Sequence, residues 1–304
     1  MINRYAYRSV EWIDLVSPTY EEIISVAKEF GLNRVLAEEL AEPSPKPKVD
    51  LYHEYLFLIL HFPAIRHTHN GSGKQEIDFI IGENFIITAH YETIDPIHEF
   101  SKVFEVNAIL DRSDMGEHAG FVFYHMLRHI YKATGNEIES LKERLGTIQT
   151  GTFSGKEREM VTSISSLGRD LLTIKGILRT HRQALDSISA ASVRFFGEDF
   201  TYPMRSITNE YYRIENEILH ANELLAELRE TNNSLLSTRQ NEVMKTLTIM
   251  AFVMFPLSLI ATIFGMNTSY LPIIGHKFDF WIIMAIMAGL TGLFFLHFKF
   301  KKWL

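Results

Sequence analysis

Two long apolar runs near the C-terminus dominate the hydrophobic pattern of this chain. Thr246–Phe264 carries no ionisable side chain over 19 residues, and Phe280–Phe298 carries only His297, near its end. At a rise of about 1.5 Å per residue, each run can cross a hydrocarbon core of roughly 30 Å. A backbone surrounded by lipid must satisfy its own hydrogen bonds, so we predict two transmembrane helices joined by a short connector.

The first part of the chain has the pattern of strands. Val10–Val16 alternates apolar and polar residues, and Tyr55–Phe62 is almost continuously apolar. Glu76–Ile81 and Phe85–His90 are two further candidate strands. Between the first two strands, Ser17 precedes a proline and two glutamates, which predicts a helix N-cap at that residue. These signals indicate a small α/β domain.

Helical spacing dominates from about residue 95 onward. We predict helices at Gly116–Ala133, Asn136–Gln149 and Glu157–Ser189. From 204 to 264 only one proline interrupts the chain and no glycine occurs, so one helix about 90 Å long is expected. Its apolar seam consists of Ile207, Ile214, Ile218, Leu225, Leu228 and Leu235. Such a seam packs against other helices, and this helix is interpreted either as a lever or as a passive stalk.

The fold class that we predict is a cytosolic α/β domain followed by an all-α stalk and membrane region, with one very long stalk helix and two C-terminal transmembrane helices. The chain is divided into an α/β domain at 1–135, a helical hairpin region at 136–202, the long stalk helix continuing as the first transmembrane helix at 203–264, an external loop at 265–279, the second transmembrane helix at 280–298 and a basic cytosolic tail at 299–304.

Flanking charge predicts the orientation of the hairpin. Lys245 precedes the first span, and Lys299, Lys301 and Lys302 follow the second. By the positive-inside rule both chain ends lie in the cytoplasm. Residues 1–20 contain four charged side chains and no apolar segment of the signal-peptide type, which agrees with a cytosolic N-terminus.

Composition excludes several kinds of chemistry. The 304 residues include no cysteine, so disulfides and thiolate sites are excluded. A formal net charge of −7 argues against nucleic-acid binding and suits cations. No phosphate-binding loop, Walker pattern or zinc-protease motif occurs, so we expect neither an enzyme nor an ATP-driven pump. His61, His67 and His69 have no adjacent carboxylate in the sequence, and we do not assign them to a metal site.

The end of the first apolar run resembles a known family. Residues 241–267 end in Gly265-Met266-Asn267 between two C-terminal spans, which is similar to the CorA family of magnesium and cobalt channels. Further similarity lies at Phe30–Leu32, Leu36–Glu39, Lys46–Val49, Tyr55–Pro63 and Lys299–Leu304. The resemblance covers essentially the whole chain. Two departures are Phe264, where the family often has tyrosine, and the connector at 268–274, which lacks the family's frequent carboxylates.

The resemblance implies a homopentamer in the cell inner membrane, in which the stalk helix becomes the pore-lining helix. It implies Mg²⁺ uptake down the electrochemical gradient, with Co²⁺ and Ni²⁺ as passengers of similar hydrated size, gated by intracellular Mg²⁺. The family's selectivity filter corresponds to Gly265, Met266 and Asn267. Its pore-lining positions correspond to Asn241, Met244, Leu247, Thr248, Ala251, Phe255, Ser258 and Thr262.

The chemistry of these residues fits that role. The predicted pore positions recur every three or four residues, so they share one helix face that is apolar at its cytosolic end and hydroxylated at its outer end. Such a face suits a dewetting constriction below a wet vestibule, although an ordinary packing face has the same spacing. Mg²⁺ dehydrates reluctantly, and a ring of neutral Asn267 oxygens can accept hydrogen bonds from its waters.

Stalk carboxylates are candidate regulatory Mg²⁺ ligands in an oligomer, or simply a solvated helix face; the tentative set is Glu210, Glu215, Glu217 and Glu223. Two alternatives to a magnesium channel remain open. One is a zinc transporter of the same superfamily, against which Met266 argues because the zinc-transporting relatives replace the filter methionine. The other is a membrane-tethered sensor or scaffold that conducts nothing, and a divalent-cation flux assay separates it from both transporters.

Overall fold

A computed structural model describes residues 1–64, 73–110, 118–267, 275 and 277–301. These residues fall into two units, Met1–Arg229 and Glu230–Leu304. The first unit contains a mixed sheet and most of the helices. The second contains the C-terminal part of the longest helix and one further helix.

Six strands form one sheet in the first unit. They are β1 (Ile2–Tyr7), β2 (Val10–Val16), β3 (Lys48–Leu51), β4 (Leu56–Pro63), β5 (Lys74–Ile81) and β6 (Phe85–His90). Their order across the sheet is β1-β2-β6-β5-β4-β3. β2 and β6 run parallel, whereas the other neighbouring strands are antiparallel.

The helices follow the strands in the chain, apart from two that lie between β2 and β3. They are α1 (Tyr20–Glu29), α2 (Arg34–Glu39), α3 (Asp95–Ile109), α4 (Ala119–Phe153), α5 (Glu157–Leu178), α6 (His181–Phe196), α7 (Thr201–Phe264) and α8 (Asp279–Phe300), with a 3₁₀ turn at Glu198–Phe200. The predicted fold class, an α/β domain with a very long helix and apolar C-terminal helices, is confirmed.

Separate hydrophobic cores cover the two faces of the sheet. On β4, Leu56, Leu58 and Leu60 belong to the larger core, which also contains residues of α3 to α7. The intervening Phe57 and Ile59 belong to the smaller core, together with residues of α1 and α2. Because side chains alternate across a strand, burial of both faces requires a nearly continuous apolar sequence. This explains the apolar run that marks the strand in the sequence.

The N-cap of α1 differs from the prediction. Thr19, not Ser17, caps the helix, and it forms a capping box with Glu22. Ser17 instead has a φ of 44° and its hydroxyl donates a hydrogen bond to the Tyr91 carbonyl at 2.7 Å. The cap therefore lies two residues later because Ser17 is used to join the end of β2 to the end of β6.

Helix continuity also differs from the prediction in two places. α4 is one helix over Ala119–Phe153 rather than two. The predicted single helix Glu157–Ser189 is divided, since α5 ends at Leu178 and α6 begins at His181. Strands β1 and β3 were not predicted.

The seam of α7 agrees with the spacing in the sequence. Its buried apolar residues in the first unit are Met204, Ile207, Tyr211, Ile214, Ile218, Ala221, Leu225 and Leu228. They alternate steps of three and four, which is the spacing of a helix that packs along its length. Leu235, the last residue predicted for this seam, is only half-buried.

A buried polar chain connects the helices to the sheet at the start of α6. The Tyr131 hydroxyl lies 2.8 Å from His181 Nδ1, and His181 Nε2 lies 2.6 Å from the His61 carbonyl oxygen on β4. The carbonyl can only accept, so His181 Nε2 carries the proton and the Tyr131 hydroxyl donates to Nδ1. Complete burial lowers the pKa of His181 to about 4.

This pKa gives a pH-dependent stability. Between about pH 6.5 and 4 the unfolded chain protonates His181 and the folded chain does not, so the free energy of unfolding should fall as pH falls. The shift corresponds to a loss of about 3 kcal/mol. Melting temperatures of the detergent-solubilised protein from pH 4.5 to 8 measure it. We expect His181→Gln to flatten the profile, and exposed His220→Gln to leave it unchanged. An equally steep profile in His181→Gln would refute this assignment.

Candidate pore face and filter

The second half of α7 carries the predicted pore face. All eight predicted positions are exposed in the chain; they are Asn241, Met244, Leu247, Thr248, Ala251, Phe255, Ser258 and Thr262. The large apolar members are strongly exposed, with 78% for Phe255 and 60% for Met244. This side of the helix is therefore not used for packing within the described part of the chain.

A half-buried stripe runs along the opposite side of α7. Its members are Ile249, Val253, Pro256, Leu257, Ile260 and Phe264. At 100° per residue this stripe lies about 180° from the predicted pore face. α8 has a matching half-buried stripe at Ile283, Met287, Leu290, Thr291 and Phe294. α8 is the other described helix of this unit, so we attribute the two stripes to the contact between these helices.

The small residues of α8 do not lie on this stripe. Ala285, Ala288, Gly289 and Gly292 are exposed. A Cβ at either glycine would meet no atom within 4 Å. The close helix contact that their spacing predicts is therefore not made within the described chain.

Both helices have the length and composition of membrane spans. The uncharged windows have mean hydropathies of 2.3 for the helix that includes α7 and 2.0 for α8, and neither window is buried in the chain. In water such a surface would be strongly unfavourable at about 25 cal/mol per Å². In a lipid bilayer, the outward-facing apolar surface of the two helices does not incur this free-energy cost.

Two hydroxyls on the predicted pore face are oriented by the helix backbone. Thr248 Oγ1 donates to the Met244 carbonyl and Thr262 Oγ1 donates to the Ser258 carbonyl, each at 2.7 Å. Each hydroxyl proton is thereby engaged, so the remaining lone pairs of the oxygen are available only as acceptors. Acceptors of this kind suit the water shell of a cation.

The filter triplet directly follows α7. The amide of Gly265 donates to the Ala261 carbonyl at 2.9 Å, and that of Met266 donates to the Ile263 carbonyl at 3.3 Å. Gly265 does not have a positive φ. A Cβ there would lie 3.1 Å from the Ala261 oxygen, so close approach rather than a left-handed turn favours glycine. Asn267 is exposed, and its amide has no hydrogen-bond partner among the described residues.

Three of the four candidate regulatory carboxylates are engaged by neighbours within the first unit. Glu217 accepts from Lys142 Nζ at 3.0 Å and from Arg213 Nη1 at 2.6 Å. Glu210 also pairs with Arg213, which lowers the pKa of Glu210. Glu215 accepts from the Tyr211 hydroxyl at 2.9 Å.

Glu223 differs from the other three because it is exposed and has no partner among the described residues. Within the described ranges, no group of three or more histidine, aspartate or glutamate side chains could hold a metal ion. A site built only from these described residues would have to draw ligands from more than one chain.

The structure reveals a partner for one of the histidines discussed from the sequence. Other residues discussed there lie outside the ranges that the structure describes. His61 is buried and faces Glu76 across β4 and β5, at 3.0 Å. His67, His69, Lys302 and the connector at 268–274 are outside the described residues.

Comparison with known proteins gives one consistent result. A family model described as CorA-like Mg²⁺ transporter protein matches residues 7–302. The cobalt/magnesium transport protein CorA of Thermotoga maritima is 22% identical over 295 residues, covering 96% of this chain and 83% of that protein. The protein of the same name from Methanocaldococcus jannaschii is 22% identical, covering 98% of this chain and 92% of the relative.

A solved structure agrees at the level of fold. The complete structure of the CorA magnesium transporter from Methanocaldococcus jannaschii has a TM-score of 0.84 and 21% identity, covering 99% of this chain and 94% of that chain. The similarity therefore includes both units and both C-terminal helices.

The opposite faces of α7 can be distinguished by thiol labelling, because the chain has no native cysteine. We expect Ser258→Cys and Thr262→Cys in membranes to react rapidly with a charged methanethiosulfonate. Val253→Cys and Ile260→Cys on the half-buried stripe should react more slowly, by about tenfold for each unit by which burial raises the thiol pKa. Mass spectrometry measures the rates. Equal rates on the two faces would contradict a water-filled pore face.

Proposed function

The chain belongs to the CorA-like Mg²⁺ transporter family, and from this premise we propose that it is a divalent-cation channel for passive Mg²⁺ uptake. Co²⁺ and Ni²⁺ pass as ions of similar hydrated size. Relatives named as cobalt/magnesium transport proteins support this substrate class. The transported ion is the substrate, and the protein is not an enzyme.

One observation carries the proposal: the predicted pore face of α7 lies opposite the stripe attributed to α8 and is left uncovered. Two spans cannot enclose a pore, so several copies must surround an axis. We propose a homopentamer, as the family resemblance implies, in which this face of each copy lines the pore. α8 then lies on the outer side, and its small residues remain available for contact with other helices.

The membrane potential supplies the driving force. A divalent cation gains about 4.6 kcal/mol per 100 mV when it enters a negative compartment. Two exposed basic residues lie at the end of α8: Lys299 in its last turn and Lys301 just after it. We therefore propose cytoplasmic termini in the cell inner membrane, with the Gly265-Met266-Asn267 filter on the outside.

Ion recognition at the filter uses neutral oxygens. The amide of Asn267, which has no partner within the described ranges, can accept hydrogen bonds from the waters of a hydrated Mg²⁺ without removing them. Further along the same face, Ser258 and Thr262 provide hydroxyl acceptors. Met244, Leu247 and Phe255 are bulky and apolar, and we propose that the narrow apolar ring at Met244 and Leu247 closes the pore by dewetting.

Regulation by intracellular Mg²⁺ is part of the proposal. Glu210, Glu215 and Glu217 already accept hydrogen bonds from Arg213, Lys142 or Tyr211. A cation would have to displace those groups. We therefore favour Glu223 among the four candidates, with a carboxylate of a neighbouring copy as its co-ligand.

The filter assignment is tested at Asn267. We expect Asn267→Ala to abolish Mg²⁺ uptake into proteoliposomes, because the acceptor ring is lost while assembly is unaffected at a helix end. Asn267→Asp should bind divalent ions more tightly but conduct less, since a carboxylate ring releases the ion slowly. A substitution-inert hexaammine complex should compete with uptake in the wild type.

Thr246→Val provides the control, because its hydroxyl is bonded to the Glu242 carbonyl away from the filter. Strong uptake by an assembled Asn267→Ala oligomer would overturn the filter. Uptake of Zn²⁺ but not Mg²⁺ by the wild type would favour the zinc transporter. No divalent flux at all would favour the scaffold.

Mg²⁺ binding should protect the closed assembly from proteolysis. Binding at 100 times the dissociation constant adds about 2.7 kcal/mol by mass action. We expect the digestion rate of the solubilised oligomer to fall in millimolar Mg²⁺. Glu223→Gln should reduce this protection, whereas Glu215→Gln, whose carboxylate is engaged by Tyr211, should retain it. Identical digestion in Mg²⁺ and in chelator would refute Mg²⁺ sensing.

A further inference from the structure

Two buried carboxyl groups lie next to each other on β5. Glu76 and Asp78 are two residues apart in one strand, so both point to the face that packs against α1 and α2. Their exposed fractions are 8% and 1%. In the strand register Glu76 is opposite His61 of β4, whereas Asp78 is opposite the apolar Ile59 and Ala89.

Glu76 anchors the proline-containing linker at 40–47, which joins α2 to β3. Its Oε1 accepts from the backbone amide of Ser44 at 2.7 Å, and its Oε2 lies 3.0 Å from His61 Nε2. The same His61 nitrogen lies 2.9 Å from the Ser44 carbonyl oxygen. Both backbone groups of Ser44 are thus fixed by the Glu76–His61 pair.

One carboxyl oxygen of Asp78 lacks a hydrogen-bond partner among the described residues. The Tyr91 hydroxyl lies 3.2 Å from its Oδ2 and 3.3 Å from the carbonyl oxygen of Leu40, at the start of the linker. Asp78 Oδ1 is buried and accepts no hydrogen bond from a donor within the described residues. The Glu76 carboxylate is its acidic neighbour on the same face of β5. A proton on Oδ1 would give this oxygen a partner, because it could be donated to the Glu76 carboxylate.

Burial and other acidic groups dominate the surroundings of Asp78. Glu39 of α2 adds negative charge near Asp78. Lys48 of β3 pairs with Glu39 and Asp50, and Lys74 donates to the Pro45 carbonyl at 3.3 Å. Burial, and next the charge of Glu76, therefore raise the pKa of Asp78 well above its usual range.

We propose that Glu76 and Asp78 share one proton, and that this proton keeps the linker at 40–47 docked on the sheet. When the pair loses it, two adjacent buried carboxylates repel each other and the linker opens. A cavity of about 330 Å³ lined by Ser44, Gln75, Glu76 and Tyr91 gives water access to Glu76 of the pair. This proton-dependent docking of the linker does not depend on which ion the membrane helices conduct.

The direction of the pH dependence follows from proton linkage. The docked state binds the proton more tightly than the open state, in which Asp78 has an ordinary pKa near 4. Docking is therefore strongest at low pH and weakens as pH rises towards the raised pKa of Asp78. One linked proton changes the docking equilibrium by up to about tenfold per pH unit.

The consequence extends to the helices on the other face of the sheet. His61 contacts Glu76 and Ser44 with its side chain, and its carbonyl oxygen accepts from His181 at the start of α6. One residue of β4 therefore contacts both the proton-sharing pair and the buried polar chain of α4 and α6. Through it, linker release can alter the packing of the helical layer.

Hydrogen exchange of the full-length, detergent-solubilised protein tests the proposal. Pro43, Pro45 and Pro47 have no amide hydrogen, so a peptide from this linker reports on very few amides, and that of Ser44 is bonded to Glu76. We expect its protection factor, corrected for the intrinsic exchange rate, to fall by up to about tenfold per unit between pH 5 and the raised pKa of Asp78.

Two variants change the proton-sharing pair in different ways. Asp78→Asn keeps a donor towards Glu76 and an acceptor for Tyr91 without titrating, so its Ser44 protection should be high and independent of pH. Glu76→Gln removes the neighbouring charge but leaves Asp78 buried and titratable, so it should weaken the pH dependence without abolishing it, and its protection should be lower. Asp50→Asn removes a carboxylate that pairs with Lys48 and should retain the wild-type profile.

Each outcome of this experiment either supports the proton-sharing pair or refutes it. A pH-dependent protection factor in the wild type and in Asp50→Asn, lost in Asp78→Asn, supports the proton-sharing pair. A wild-type profile without pH dependence overturns it, and so does an Asp78→Asn profile that declines as in the wild type. Size-exclusion chromatography confirms that each variant is assembled. Because the readout is exchange rather than flux, failure here leaves the channel proposal standing, and loss of flux leaves this one standing.

Discussion

The structure depends on one constraint: α7 and α8 present apolar surface that their own chain cannot cover. Most large apolar side chains between residues 243 and 263 are 40–80% exposed, and each helix has only one half-buried stripe. In a helix every backbone polar group of the span is bonded internally, so lipid can accept the outward surface. Ser258, Thr262 and Asn267 add oxygens that can accept hydrogen bonds from water, while the Thr262 proton is bonded to the Ser258 carbonyl. The proposed pore between copies would give these oxygens access to water and leave the remaining outward surface to lipid.

Much of the fold could be predicted from local pattern. The absence of glycine from α7 and the run of β4 gave the longest helix and a central strand nearly at their observed bounds. Elsewhere in the chain, the positions of glycines do not indicate where helices end. Gly135 lies against Arg213 and Gly168 against Arg229, so these glycines allow close helix approach and break nothing. The real break after Leu178 coincides with the burial of His181 against β4, and that contact joins residues 120 positions apart. Local propensity cannot indicate it.

The candidate site likewise has one part that local sequence predicts and another part that depends on contacts between distant residues. Its face on α7 follows from spacing alone, because one helix fixes which residues point together. The stalk carboxylates could not be judged from spacing, because the partner of Glu217 is Lys142, 75 residues away on α4. An acidic helix face and an internal ion-pair network have the same sequence signature. Likewise, Glu76 beside His61 became visible only through the register of β4 and β5.

The distribution of charge along the chain fits the proposed channel. In the described residues, carboxylates concentrate in the first unit, where Arg213, Lys142 or a shared proton compensates several of them. The span at 246–264 has none. A fixed carboxylate ring in a low-dielectric pore would attract a divalent ion strongly and release it slowly. In the proposed channel, neutral oxygens at Thr262 and Asn267 would offer hydrogen bonds to the water shell of the ion and would leave the membrane potential as the dominant force upon it. Selectivity would then rest on the size and rigidity of the hydrated ion, and this would favour Mg²⁺ because it retains its waters.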